Sequence, residues 1–248
     1  MISKLDPIII GGTPGSGTRV FCQICKDAGI FMGTNLNFSN DALEFINFYD
    51  KWINDWLSNK IEEKKTMRDD FHRCVLEHLK NLSREDMKWG FKNPRSILLL
   101  QFFHQIYPEM KFLHVVRDGR DMAYSKEGVP QLEMHAPFIM NKKLDEPINK
   151  LHLWTKINFD AANYGNNKLK KNYLRVRFED LCLNPISNVE LITQFLGVQK
   201  IDLNKIACKI KKPETIGRWK RNDKFLKLSK FDVQGLNYFG YLNEDYTT

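Results

Sequence analysis

Short runs of apolar residues recur along the chain and predict buried β-strands. The first is residues 7–11, PIIIG, where three isoleucines lie between a proline and a glycine. Comparable runs occupy residues 88–92, 111–116 and 173–178. Strands that are apolar at nearly every position are buried on both faces, as in a parallel sheet. The pattern therefore predicts four parallel strands.

Apolar residues at helical spacing fill the segments between these strands. The predicted helices cover residues 18–28, 41–57, 66–82, 96–106, 148–163, 185–196 and 203–210. Residues 127–146 contain two prolines and little periodicity, so we expect a long loop there that forms a lid or an acceptor wall. This alternation predicts one α/β domain over residues 1–248, with a central parallel sheet, helices on both faces and ligands at the C-terminal strand ends.

Composition and charge narrow the function classes. The 248 residues are 42% hydrophobic, which excludes a disordered, collagen-like or coiled-coil chain. Lys and Arg number 38 against 30 Asp and Glu, for a formal net charge of +8. Such an excess of cations suits a polyanionic ligand, and nucleic acid, an acidic surface and a nucleotide all fit this criterion.

The cysteines and the N-terminus predict a cellular compartment. Five scattered cysteines indicate reduced thiols rather than a disulfide framework. Cys22 and Cys25 have CxxC spacing but lie inside a predicted helix, which favours buried thiols over a metal or redox site. The isoleucines at residues 8–10 form too short a run for a signal peptide or a membrane span. We therefore expect a soluble, cytoplasmic protein without a membrane span.

A glycine-rich segment, GTPGSGT at residues 12–18, follows the first strand and precedes a helix. Backbone N–H groups in such a turn can converge on an anion at a helix N-terminus, although a plain tight turn is the alternative. The segment looks like a P-loop but is not a Walker A motif, because Gly17 is followed by Thr18 and Arg19. The missing lysine disfavours ATP hydrolysis.

Two further segments place cations at strand ends. Residues 115–125, VVRDGRDMAYS, follow the third strand, so that Arg117 and Ser125 could grip one phosphate from two sides. The alternative is a helix capped by Asp118 and an ion pair with Arg120. Residues 89–95, WGFKNPR, put Lys92 at the end of the second strand, facing the same crevice, where a solvated lysine is the alternative.

In this order, these segments resemble a sulfotransferase that uses 3′-phosphoadenosine 5′-phosphosulfate (PAPS), closest to the tyrosylprotein and carbohydrate branches. The resemblance continues through residues 92–95, 176–181 and 216–220. It implies that residues 12–19 bind the 5′-phosphosulfate, that the segment from 117 to 125 binds the 3′-phosphate, and that residues 218–220 close over the nucleotide. The donor-binding residues that it implies are Gly15, Ser16, Gly17, Thr18, Arg19, Arg117, Ser125, Arg218, Trp219 and Lys220.

The chain departs from the family pattern at two places. Many members carry Lys or Arg where this chain has Gly15. Part of the positive charge around the 5′-phosphosulfate is therefore either missing here or supplied by Arg19 and Lys92. No Glu or His stands where the family places its catalytic base. Asp41 is the nearest carboxylate, with Glu44 one turn on and His135 as a further candidate, and a helix N-cap is the other role open to Asp41.

The chemistry of sulfuryl transfer fits these residue types. We expect Lys92 to offset charge on the bridging oxygen of the leaving group and Asp41 to take the acceptor proton, without a metal ion. The spent donor would be 3′-phosphoadenosine 5′-phosphate (PAP). The acceptor would be a hydroxyl of a sugar, a tyrosine or a small metabolite; the basic charge hints at an acidic one, and no nucleic-acid partner is expected.

Two alternatives remain open from the sequence. One is a non-catalytic module of the same fold that binds nucleotides or polyanions, because Gly15 lacks the cation and the base is not defined. The other is a P-loop kinase, which the absent Walker lysine disfavours. The acceptor and the oligomeric state depend on loops and surfaces for which one chain gives no code.

Overall fold

The computed structural model describes residues 5–60, 64–125, 129–199, 201–222 and 227–242. Within these residues, four strands form one parallel sheet in the order β2-β1-β3-β4. Their bounds are β1 (Ile8–Gly12), β2 (Gly90–Lys92), β3 (Lys111–Val116) and β4 (Tyr173–Arg177). The predicted parallel sheet is confirmed. β2 is shorter than predicted because Trp89 forms only an isolated bridge, with Phe31.

Helices fill the connections between strands. The α-helices of the described residues are α1 (Thr18–Asp27), α2 (Ile46–Leu57), α3 (Lys64–His78), α4 (Leu100–Ile106), α5 (Gly119–Ala123), α6 (Val129–Glu133), α7 (Ala136–Met140), α8 (Pro147–Tyr164), α9 (Phe178–Leu183), α10 (Pro185–Leu196), α11 (Leu203–Ala207) and α12 (Lys230–Tyr238). Shorter helical turns are the 3₁₀ segments Leu43–Phe45, Leu79–Asn81, Pro94–Leu99, Lys170–Asn172 and Arg218–Arg221, and the π segment Gly165–Leu169.

The alternation of side chains along β1 builds a core on each face of the sheet. Ile9 packs in a cluster with residues of α2 and α3, whereas Ile8 and Ile10 pack in another with residues of α1 and α10. Because successive strand side chains point to opposite faces, one apolar run supplies both cores. The result is the predicted three-layer α/β arrangement.

The structure corrects two predicted elements and adds one helix that was not predicted. Residues 129–133 and 136–140 are helical rather than loop, with Pro137 in the first turn of α7, where a missing N–H costs nothing; residues 127 and 128 of the predicted loop lie outside the described residues. The helix predicted at 96–106 begins with a 3₁₀ segment. The sequence interpretation missed α12, although Ser229 and Asp232 form a capping box there.

Candidate active site

The crevice above β1 is where the strand order reverses. β1 lies between β2 and β3, with Ile10 opposite Lys92 and Gly12 opposite Val115. The chain leaves β1 into residues 13–17 and then α1. In open parallel sheets this switch point is the usual position of a ligand. The glycine-rich segment, Lys92 and Arg117 all lie at this edge, as predicted.

The glycine-rich loop, residues 13–17, has a backbone that only glycine adopts easily. Gly15 and Gly17 have φ of 90° and 88°. A Cβ on Gly17 would lie 2.4 Å from the Phe178 ring, so the loop also needs glycine for space. The buried Ser16 hydroxyl donates to the Thr13 carbonyl, which closes the loop.

The start of α1 can receive an anion from this loop. The N-cap of the ten-residue helix is Gly17, which has no side chain. No side-chain hydrogen bond therefore caps the N–H groups of the first turn. Thr18 is buried and Arg19 is exposed. Within the described residues, the buried Thr13 Oγ1 has no hydrogen-bond partner. This arrangement fits a phosphate-like group.

Arg117 connects the glycine-rich loop to the C-terminal part of the chain. Its side chain follows β3, is buried, and donates through Nη1 to the Gly15 carbonyl at 3.4 Å. Nη2 donates to the carbonyl and the hydroxyl of Thr215 at 2.7 and 2.9 Å. Nε has no hydrogen-bond partner among the described residues. A second anion beside the loop would therefore meet a positioned guanidinium.

Asp121 holds residues 217–219, part of a basic segment near the C-terminus, against the end of β3. Its carboxylate accepts from the backbone N–H groups of Gly217 at 2.8 Å and Trp219 at 3.1 Å. Burial, together with the charge of Asp118, raises the pKa of Asp121, and these two N–H groups oppose that shift. The contacts explain how residues 96 and 98 positions apart in sequence come to share one site. The sequence interpretation gave Asp121 no role.

Arg218, Trp219 and Lys220 lie on the 3₁₀ turn that Asp121 anchors. Arg218 and Trp219 are half-buried, and Lys220 is exposed. The Arg120 guanidinium stacks on the Trp219 ring at 3.9 Å, a cation–π contact that fixes the plane of the indole. The structure thus brings residues 218–220 to the same edge of the sheet as Arg117.

Ser125 and the turn before α5 serve structure as well as the candidate site. Ser125 is buried just beyond the end of α5, and its N–H donates to the Met122 carbonyl. Asp118 caps α5 and pairs with Arg120 at 2.7 Å, as the structural alternative predicted. The site role of Arg117 and the capping role of Asp118 are compatible, because they use different side chains of one turn.

Lys92 and Asp41 form a buried ion pair. Lys92 Nζ lies 2.6 Å from Asp41 Oδ1, and the residues are 1% and 6% exposed. Burial lowers the pKa of Lys92; the charge of Asp41 and their hydrogen bond oppose that shift, and Arg19 adds a smaller lowering. Lys92 is therefore not a solvated lysine, and its partner is the carboxylate that the sequence singled out.

Asp41 is not a helix N-cap, which corrects one of its two predicted roles. The 3₁₀ segment after it begins at Leu43, has Ala42 at its N-cap, and precedes α2. Asp41 instead ends a tight turn organised by Asn37, whose Nδ2 donates to Asp41 Oδ2 at 2.9 Å and whose Oδ1 accepts from the Asp41 N–H at 2.9 Å. The Asn and Asp four residues apart were the signal that could have revealed this turn.

The other candidate bases are engaged elsewhere. Glu44 lies 3.5 Å from His78 Nδ1 in the core; burial raises the pKa of Glu44, but the neighbouring His78 and a hydrogen bond from its own backbone lower it overall. His135 is fully buried and hydrogen-bonds Asn54, and burial lowers its pKa to about 4. Neither residue contacts Lys92 in the described structure. Of the three candidate bases, Asp41 is the one that pairs with Lys92.

Cys22 and Cys25 are buried free thiols in α1, and burial raises the pKa of Cys22 to about 12. In the described part of the chain, no group of three His, Cys, Asp or Glu side chains could hold a metal ion. No helix in that part is long and apolar enough to span a membrane.

Known proteins share this sequence pattern. A sequence model described as "Sulfotransferase family" matches residues 7–202. A Caenorhabditis briggsae protein named "Putative protein-tyrosine sulfotransferase" is 23% identical over 205 residues, which cover 80% of this chain and 68% of that protein. A Caenorhabditis elegans protein of the same name is 24% identical over 154 residues, which cover 62% of this chain and 57% of that protein.

Known structures share the fold. The sulfotransferase domain of the curacin biosynthetic pathway matches with a TM-score of 0.60 and 13% identity, over 96% of this chain and 99% of that one. The sulfotransferase domain of the Synechococcus PCC 7002 olefin synthase matches with a TM-score of 0.58 and 14% identity, over 96% of each chain. Since the family model covers most of the chain, the chain belongs to the sulfotransferase family, as its motifs predicted.

Proposed function

We propose that this protein transfers the sulfuryl group of PAPS to an acceptor hydroxyl at the crevice above β1. The observation that carries the proposal is the buried Lys92–Asp41 pair, which lies at the same end of the sheet as two candidate anion-binding elements, the glycine-rich loop and Arg117. A donor with phosphates at two positions of one ribose needs such a pair of elements. Sulfuryl transfer also needs a general base and a general acid beside these two elements.

The two anion-binding elements would hold the two ends of the donor. The N–H groups of the glycine-rich loop and of α1 would receive the 5′-phosphosulfate, with Arg19 adding charge that Gly15 does not supply. Arg117 and Ser125 would hold the 3′-phosphate. The Arg117 contact to the Gly15 carbonyl joins these elements, which suits two phosphate positions on one ribose. Arg218, Trp219 and Lys220 would cover the nucleotide from the segment that Asp121 anchors.

Lys92 and Asp41 would divide the chemistry between them. When bound, PAPS supplies an activated sulfuryl group whose leaving group is a phosphate. The Asp41 carboxylate would accept the proton of the attacking hydroxyl, and the Lys92 ammonium would donate to the bridging oxygen as negative charge grows there. Their 2.6 Å contact keeps both groups in place before an acceptor arrives.

A tyrosine hydroxyl is the acceptor that the names of the two curated relatives favour. An acidic acceptor would suit the net charge of +8, but the donor itself is anionic and accounts for part of that charge. A cytoplasmic location is proposed from the five cysteines, which are all free in the described structure.

An assay with sulfur-labelled PAPS tests the proposal. Label should move to a hydroxyl acceptor from a panel of tyrosine peptides, phenols and sugars, and Lys92→Met should lower transfer by roughly 10²–10⁴ while PAP binding persists. The matched control is Lys111→Met, a strand lysine at the opposite end of β3. Tight PAP binding with neither transfer nor slow hydrolysis of PAPS would favour the non-catalytic module instead.

A further inference from the structure

The turn that carries Asp41 is bonded to β2 through its backbone. The Asn37 N–H donates to the Asp41 carbonyl at 3.1 Å, and the flanking residues Leu36 and Ala42 form an isolated antiparallel bridge. The Ala42 N–H donates to the Lys92 carbonyl at 3.1 Å. The backbone next to Asp41 is therefore held against the backbone of Lys92, whose ammonium pairs with the Asp41 carboxylate.

The Asn37 side chain has two separate functions in this turn. Its Oδ1 accepts from the N–H groups of Ser39 and Asp41 at 2.8 and 2.9 Å, which closes the backbone. Its Nδ2 donates to Asp41 Oδ2 at 2.9 Å, whereas the other carboxylate oxygen, Oδ1, lies 2.6 Å from Lys92 Nζ. Each oxygen of the proposed base therefore has its own donor, and together these donors fix the plane of the carboxylate.

The groups that face this pair in the described structure come from three elements. Besides Lys92 of β2, Cys22 of α1 and Tyr49 of α2 interact electrostatically with Asp41, and Arg19 of α1 interacts with Lys92. Burial raises the pKa of Cys22 to about 12 and also raises that of Tyr49, so both groups are uncharged at neutral pH. The carboxylate is thus balanced by one ammonium group and by the amide donor of the turn.

We infer that Asn37 is a positioning residue for the base, because its side-chain amide holds the Asp41 carboxylate ionised beside Lys92. This inference rests on the proposed function, in which Asp41 takes the acceptor proton. A hydrogen bond donated to the charged form of a carboxyl group favours that form, and only the charged form can accept a proton. The amide donor therefore extends the pH range in which the base can act.

Asn37→Asp separates this function from the closing of the turn. The new carboxylate can still accept from the same two backbone N–H groups, but an oxygen replaces Nδ2 and faces Asp41 Oδ2. Two carboxylates this close share a proton, so the pair should take up its first proton at higher pH than Asp41 does in wild type. The expected shift is about one to two pH units, which matches the loss of a hydrogen bond to a charged group.

Two further variants control for folding and for charge. Asn37→Ser, whose hydroxyl supports such a turn more weakly, also lacks the amide donor and should shift the titration in the same direction. Asn35→Asp adds the same negative charge at an exposed residue two positions earlier and should leave the titration unchanged. PAP affinity, measured by calorimetry at slightly alkaline pH, should stay within about twofold of wild type in all three variants.

NMR and kinetics measure the two sides of the inference. Carbon-13 NMR of protein labelled at the aspartate carboxyl carbons follows the titration without turnover, with the Asp41 resonance assigned by through-bond correlation to its backbone. In transfer assays with labelled PAPS, the acid limb of the kcat profile of Asn37→Asp should move to higher pH by the same shift. On the alkaline side of that limb, kcat should return to the wild-type value.

The outcomes distinguish the inference from the proposed function. A titration of Asn37→Asp that matches wild type would overturn the inference, and so would an equal shift in Asn35→Asp. A loss of kcat that is the same at every pH would also overturn it, because a purely structural defect has no pH dependence of this kind. Wild type that transfers no sulfuryl group to any acceptor would refute the proposed function, whatever the titration shows.

Discussion

Replacing Asp41 by Asn should destabilise the protein strongly, because it leaves the Lys92 ammonium buried without a counter-charge. At 2.6 Å, the attraction between the two charges is about 6 kcal/mol in an effective dielectric of about 20. Desolvation of both ions offsets much of this in the intact pair, but the single variant keeps the desolvation of Lys92 and loses its partner. Breaking a buried pair costs about 3–5 kcal/mol, or about 6–20 °C in melting temperature for a chain of this size.

The double variant Asp41→Asn/Lys92→Met separates stability from catalysis. It contains no buried charge at this position, so most of the lost stability should return. Turnover should be lower than that of wild type by roughly 10²–10⁴ in both single variants and in the double variant, because each lacks the base, the leaving-group cation or both. Thermal unfolding and labelled-PAPS turnover of the four proteins would give a complete cycle.

The pH dependence adds an independent check. Burial lowers the pKa of Lys92 and Asp41 opposes that shift, so the pKa should fall further in Asp41→Asn. Lys92 would then lose its proton as the pH rises, and the stability deficit of the variant should shrink from neutral to alkaline pH. If the melting temperature of Asp41→Asn lies within about 2 °C of wild type at neutral pH, the loss of stability is below about 1 kcal/mol. That result would refute the buried-pair interpretation.

Three further predictions follow from the site and its surroundings. Arg117→Ala should weaken PAP binding about 10- to 150-fold by calorimetry, since a hydrogen bond to a charged group contributes about 1.5–3 kcal/mol; unchanged affinity would remove Arg117 from the site. Activity should survive EDTA, because backbone N–H groups and cations compensate the donor charge, and a loss that magnesium restores would indicate phosphoryl transfer. Burial raises the pKa of Glu179 to about 7, so the folded state holds this proton more tightly than the unfolded state. The free energy of unfolding should therefore fall by about 3 kcal/mol between pH of about 4.5 and 7, as urea titrations would measure. Glu179→Gln should lack this fall, and an identical pH profile would contradict the assignment.

Local signals were sufficient to predict the sheet and the glycine-rich loop. The apolar run at residues 111–116 gave β3 with its observed bounds, and Pro185 and Gly197 marked the ends of α10. These features depend on residues close in sequence, where spacing and turn chemistry decide the structure. The sequence also put Lys92 and Arg117 at strand ends, because parallel strands share one edge.

Contacts between distant residues could not be predicted from these local signals. Lys92 and Asp41 are 51 positions apart, and Arg117 and Thr215 are 98 apart. Asp41 looked like a helix cap because Asp is among the preferred N-cap residues and an apolar periodic segment follows it. Its pairing depends on the close approach of the Asn37 turn to β2, which the fold sets and local spacing does not encode.

A crystal structure of the protein with PAP would test the central claim most directly. The account predicts the 3′-phosphate within about 3.5 Å of Arg117 and Ser125, the 5′-phosphate on the N–H groups of the glycine-rich loop, and Lys92 Nζ beside the 5′-phosphate oxygens. PAP bound away from the crevice above β1, or in it with Lys92 out of reach of the 5′-phosphate, would contradict the account.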